Sequence, residues 1–206
     1  MPLRRTGFTL VEFVLVMAVI GLLLEGVLNG RELILNTKIK ATFNLTREVA
    51  GAIDAYRGRY GQLPGDDPLA STHFPGARPA PVNGPGRGAL PYSGGCLGGS
   101  STAPPCEALY ELRLAETISG TGRGPIHTPL GGWAEIASAE SFYPLAGNGL
   151  AMGFHKEGIS YSAAKAFDEA FDDGNPATGN FRCLGLTNYE TSAPDTAVPD
   201  WCSFRL

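Results

Sequence analysis

The 206-residue sequence predicts an α+β chain: one long N-terminal helix packed on a small antiparallel sheet head, with long Gly/Pro-rich loops. Three observations carry that prediction. Residues 8–62 contain no proline and keep a helical period, residues 61–106 contain 19 Gly or Pro among 46, and short apolar runs alternate with Gly-rich turns after them. A hydrophobic content of 43% suits one anchor helix and one modest head, with divisions expected at 1–7, 8–62 and 63–206.

Phe8 to Leu24 is a largely apolar run with Glu12 as its only charge. As a helix rising about 1.5 Å per residue it covers about 26 Å, close to a hydrocarbon core, and 8–28 is taken as the membrane-spanning part. Arg4 and Arg5 precede it, which keeps the N-terminus cytoplasmic and exports the rest. Glu12 is the anomaly, because an ionisable group in such a run marks a function and needs a partner. No Lys, Arg or His sits beside it. A cut between Gly7 and Phe8 would create an α-amine able to neutralise the Glu12 of a neighbouring copy.

The run Arg5-Thr6-Gly7-Phe8-Thr9-Leu10-Val11-Glu12-Phe13 resembles the prepilin-type cleavage and methylation segment of type IV pilins and type II secretion pseudopilins. The resemblance implies a pilin-like fold, removal of residues 1–7 by a prepilin peptidase, N-methylation of Phe8, and a Glu12 that orders subunits in a filament. It also implies partners: other pilins or pseudopilins, and an inner-membrane assembly platform with its ATPase. An ordinary secretory signal would be cut after its apolar run and lose the anchor. The expected location is the inner membrane as a single-pass protein with the head periplasmic or extracellular, then the filament after processing.

Beyond the membrane the helix is amphipathic. Leu35, Ile39, Phe43, Val49, Ile53 and Tyr56 approximate one face, while Arg31, Lys38, Lys40, Arg47, Arg57 and Arg59 favour water. Gly61 supplies the stop and Pro64 forbids continuation. The Tyr-x-x-x-Tyr-Gly-x-x-Pro-Gly-Asp-Asp pattern from Tyr56 to Asp67 is similar to many pilin-like proteins at the helix exit, and Asp66 and Asp67 read as turn chemistry rather than a cation site. Residues 63–106 read as a loop-rich insertion.

A second helix is expected over Pro105–Ser119, and a third from Ser162 as N-cap to Phe171. Strands are expected over Trp133–Ile136, Phe142–Leu145, Leu150–Phe154, Asn180–Leu186 and Trp201–Arg205. The run from Phe167 to Gly179 resembles a recurrent element of large pilin-like proteins, with Ala170 standing where a Lys is common, and it implies a minor subunit.

All four cysteines lie beyond the anchor, where oxidation is possible. Cys96–Cys106 and Cys183–Cys202 are the favoured pairs, because each closes a short loop; the two other connectivities stay open. Neither a Cys-x-x-Cys nor a close Cys/His pair is present to support zinc.

Asp168, Asp172 and Asp173 could supply oxygen ligands to calcium, yet the twelve-residue loop with alternating acids and a terminal Glu is missing, and a capped turn is the competing account. Ser162-x-x-Lys165 lacks the partner motifs of penicillin-binding enzymes, and His73, His127 and His155 are scattered singly. The formal charge of −4 argues against a broad nucleic-acid surface. The chain therefore reads as non-enzymatic: a pilin-like subunit of a pilus or pseudopilus, a minor component. The alternative is a membrane-anchored exported binding or adhesion module, using aromatic residues such as Tyr92, Tyr110 and Trp133.

Overall fold

A computed structural model describes residues 9–78, 88–92, 95–96, 103–142, 145, 149–155, 159–189 and 201–206. The chain divides into two compact units, residues 1–37 and 38–206. Helix α1 (Leu10–Tyr60) supplies the described part of the first and the opening of the second. In the first unit Leu10, Leu15, Leu22 and Leu24 are among its exposed apolar side chains. The helix is long and apolar enough to cross a membrane, with a mean hydropathy of 2.4 in its most apolar stretch.

The second unit is an α+β head. Within it the amphipathic pattern of α1 is realised: Ile39, Val49, Ile53 and Tyr56 are buried, while Lys38, Lys40, Arg47, Arg57 and Arg59 are exposed. The helix stops at Tyr60 because Gly61 adopts φ +72° and donates its N–H to the Arg57 carbonyl at 2.8 Å. A single turn, α2 (Ala70–His73), follows inside the stretch expected to be all loop.

Helix α3 (Pro104–Leu114) opens with two prolines, which cost nothing in a first turn whose N–H groups lack helical partners. Its Ala108, Leu109 and Leu112 are buried in one cluster with Val49, Ile53 and Tyr56 of α1. It ends five residues short of the expected Ser119. Glu116 turns to φ +56°, and the Thr117 N–H and hydroxyl both donate back to the Leu112 carbonyl at 3.0 and 2.9 Å, closing the helix.

Five strands follow: β1 (Ile126–His127), β2 (Trp133–Ser138), β3 (Leu150–His155), β4 (Phe181–Cys183) and β5 (Trp201–Arg205). They form one antiparallel sheet in the order β1-β2-β3-β5-β4, with the last strand in the chain inserted between β3 and β4. Ile136, Met152, Phe204 and Phe181 form a row across one face. Helix α4 (Tyr161–Phe171) lays Phe167 on Phe154, Phe181 and Phe204, and Phe43 of α1 joins the same cluster.

Three local expectations differ from the fold. Phe142 and Leu145 do not begin and end a strand: the Leu145 N–H donates to the Phe142 carbonyl at 2.9 Å in a turn, and residues 143 and 144 lie outside the described ones. The reason is Gly153, whose missing side chain leaves room for the Phe142 ring against the sheet, where a Cβ would collide with it. The cap of α4 is Ser160 rather than Ser162; Ser160 is extended and its hydroxyl accepts the Ala163 N–H at 3.2 Å. The expected strand Asn180–Leu186 contracts to β4, after which the Leu186 N–H turns back to the Cys183 carbonyl.

Cys183 and Cys202 are bonded as direct partners across β4 and β5, and Cys96 is bonded to Cys106 in the first turn of α3. Replacing Cys183 and Cys202 together by alanine is expected to cost about 3 kcal/mol, because the bond spans 19 residues of the unfolded chain. In a thermal scan of the full chain in detergent, the midpoint should fall by roughly 6–12 °C. An unchanged midpoint would remove this bond from the account of stability.

Candidate functional site

The helix start is built from Thr9 and Glu12. The Thr9 N–H and hydroxyl donate to Glu12 Oε2 at 3.0 and 2.9 Å, and the Thr9 hydroxyl oxygen accepts the Glu12 N–H at 3.3 Å. This reciprocal arrangement is a capping box, which satisfies N–H groups that the first turn leaves without helical acceptors. The pattern Thr9-x-x-Glu12 ahead of an apolar run is its sequence signature, and a reading of Glu12 purely as an isolated charge misses it. Glu12 Oε1 takes no part in the box, and Leu10, Val11 and Phe13 around it are exposed. The site thus offers a positioned carboxylate on an apolar helix end. Gly7 and Phe8 lie outside the described residues.

The acids nominated for calcium do come together: ligand atoms of Asp168, Asp172 and Asp173 lie within 4.8 Å of one another. Their surroundings are those of a turn. Asp168 accepts the Gly174 N–H at 3.0 Å and the Tyr189 hydroxyl at 2.8 Å. Asp172 accepts the N–H groups of Asn180 and Phe181 at 2.5 and 2.7 Å, and Asp173 accepts the Asn175 N–H and the Thr178 hydroxyl at 3.0 and 2.6 Å. Burial raises Asp168 to about 6, whereas the hydrogen bonds from Thr178 and Asn175 lower Asp173. N–H and O–H donors compensate these carboxylates, as the capped turn requires.

A third constellation lies where α1 ends. The Tyr56 hydroxyl oxygen is 2.9 Å from Asp67 Oδ2 and 3.0 Å from Glu111 Oε2, and all three residues are buried. Asp67 Oδ2 also lies 2.9 Å from His73 Nδ1, while Asp67 Oδ1 accepts the Leu69 N–H and Asp66 accepts the Gly88 N–H. Tyr56 and Asp67 belong to the exit pattern quoted above. Glu111 carries no signal of its own in the sequence, because only the docking of α3 brings it there.

The aromatic residues nominated for a binding surface are half-buried and each contacts a neighbour within the head. Tyr92 packs on Phe142 and Trp201, Trp133 lies beside His155, and Arg123 sits 4.0 Å above the Tyr110 ring while pairing with Glu107 at 2.6 Å. On the same sheet face Glu135 is fully buried; its Oε1 accepts the Cys96 N–H at 2.6 Å and lies 3.5 Å from His155 Nε2. Lys165 pairs with Glu169, and the Ser162 hydroxyl contacts that of Ser160, so the Ser-x-x-Lys match assembles no nucleophile with its base. No family model matches this chain, and neither a curated protein nor a solved structure matches it.

Proposed function

We propose that this chain is a pilin-like structural subunit, cut between Gly7 and Phe8 by a prepilin peptidase and assembled through α1 into a type IV pilus or type II secretion pseudopilus as a minor component. The observation that carries the reading is the run Gly7 to Glu12 at the head of a helix long and apolar enough to cross a membrane. Before cutting, Arg4 and Arg5 hold the N-terminus in the cytoplasm and α1 anchors the chain in the inner membrane. After cutting, the exposed apolar residues of α1 leave lipid for the helices of neighbouring subunits. The Phe8 amine of one copy then meets the carboxylate of another, and the assembly platform with its ATPase drives the transfer. The head performs no catalysis in this scheme.

Intact mass of the protein from its own cells, with the prepilin peptidase present or deleted, tests the proposal. Peptidase-dependent loss of residues 1–7 with one added methyl supports it. Full-length protein in both strains would overturn it and leave a membrane-anchored binding module. The same sample should gain about 4 Da on reduction, two hydrogens for each disulfide.

A further inference from the structure

We infer that Tyr56, Asp67 and Glu111 form a clasp closed by one shared proton, which ties the end of α1 and the turn after it to α3 and opens as the pH rises. Counting hydrogens leads there. The Tyr56 phenol has a single hydrogen, yet its oxygen lies 2.9 Å from one carboxylate oxygen and 3.0 Å from another. With both carboxylates ionised, one contact sets a phenol lone pair against a buried anion. One extra proton turns both contacts into hydrogen bonds, with Tyr56 donating to one carboxylate and accepting from the other.

The partners of each acid decide which of them holds that proton. Asp67 sits among donors: the Leu69 N–H reaches its Oδ1 at 2.8 Å, and His73 Nδ1 lies 2.9 Å from its Oδ2. Glu111 has the Gly65 N–H on Oε2 at 2.8 Å, while its Oε1 is buried with no hydrogen-bond partner among the described residues. An ionised Glu111 would leave that oxygen charged and dry, whereas a carboxylic acid carries far less of the penalty. The order is therefore Glu111 O–H to Tyr56, and Tyr56 O–H to Asp67.

Electrostatics agree. Burial raises Glu111 to about 8, with Asp67 and Glu107 pushing the same way against the hydrogen bonds from Gly65 and Tyr56. The facing titratable and charged groups are Tyr56 from α1, Asp67 from the turn, His73 from α2 and Glu107 from α3, the last neutralised by Arg123. Burial first, then Glu111 and Asp67, raise Tyr56, so it stays a phenol throughout.

The folded state binds this proton more tightly than the unfolded chain, whose value is 4.5. The stability it contributes is present in full below 4.5 and is lost as the pH rises through about 8. Asp168, raised from 3.8 to about 6, has spent most of its own contribution before neutrality, so a window above it sets that group aside.

The test is thermal unfolding of the full chain in detergent from about pH 6.5 to about pH 9, wild type against Glu111→Gln. Glutamine keeps the size of the acid and does not titrate; its amide oxygen takes the place of Oε2 and accepts from Gly65 and Tyr56. The wild-type midpoint should fall by roughly 4–8 °C across the window while that of E111Q stays level. Equal slopes in the two proteins would overturn the proposal. Should E111Q fail to fold, infrared difference spectra of the wild-type chain decide it. A protonated-carboxyl band at pH 6.5 that vanishes by pH 9 supports the clasp, and an unchanged spectrum across that range rejects it.

Discussion

Chains carrying Glu12→Gln should be processed and inserted normally but fall out of filaments, with incorporation reduced roughly tenfold or more relative to wild type. Glutamine retains a carbonyl oxygen for the Thr9 N–H and hydroxyl, so the capping box survives the change. What disappears is the negative charge that the proposed assembly step needs opposite a neighbour's Phe8 amine. Thr9→Val is the matching control, since it removes the hydroxyl from the box and leaves the carboxylate charged. It should incorporate within about twofold of wild type, because the two cap hydrogen bonds of the hydroxyl are a small part of a helix this long. The measurement is the amount of subunit in sheared filament fractions against total membrane-bound subunit. If E12Q assembles like wild type, or if T9V fails as badly, Glu12 serves the start of its own helix and subunit registration must lie elsewhere.

Phe167→Ala is expected to be the most damaging single substitution in the head, costing about 3–5 kcal/mol. The ring is 1% exposed and lies against Phe43, Phe154, Phe171, Phe181 and Phe204, at centroid distances of 6.3, 6.0, 5.3, 4.9 and 5.8 Å. It is the point where α1, α4 and strands β3, β4 and β5 meet, so its loss leaves a cavity that no single element can close. The thermal midpoint of the full chain should drop by roughly 6–20 °C. Phe171→Ala is the comparison, because Phe171 stacks on Phe43 at 3.8 Å but is only partly buried. A Phe167 variant no less stable than the Phe171 variant would show that the aromatic cluster is not the keystone of the head.

Features governed by neighbours in sequence were legible. The buried stripe on α1, the stop at Gly61 and the strand Trp201–Arg205 follow from spacing, φ preference and alternation within a few residues. Features governed by packing were not. Phe142 belongs to an apolar run that reads as a strand, and only the gap above Gly153 shows why its ring is tucked in instead. Ser160 and Ser162 are equally good caps by type, and the choice fell to the residue at which the chain leaves its extended conformation. The calcium candidates show the same division: their nearness was foreseeable from Asp168-x-x-x-Asp172-Asp173, while the N–H and O–H groups that occupy them come from the returning loop up to Tyr189.

Local chemistry along the chain was thus sufficient for the apolar helix, its stop and the alternation of the longer strands, because those depend on backbone propensity and burial of one face. The contact of Tyr56 with Glu111, 55 residues apart, depends on how α3 docks, as does the buried state of both groups. The insertion of β5 between β3 and β4 is of the same kind. Such arrangements are selected by shape and by the satisfaction of buried polar groups in three dimensions, for which no spacing rule along one dimension exists.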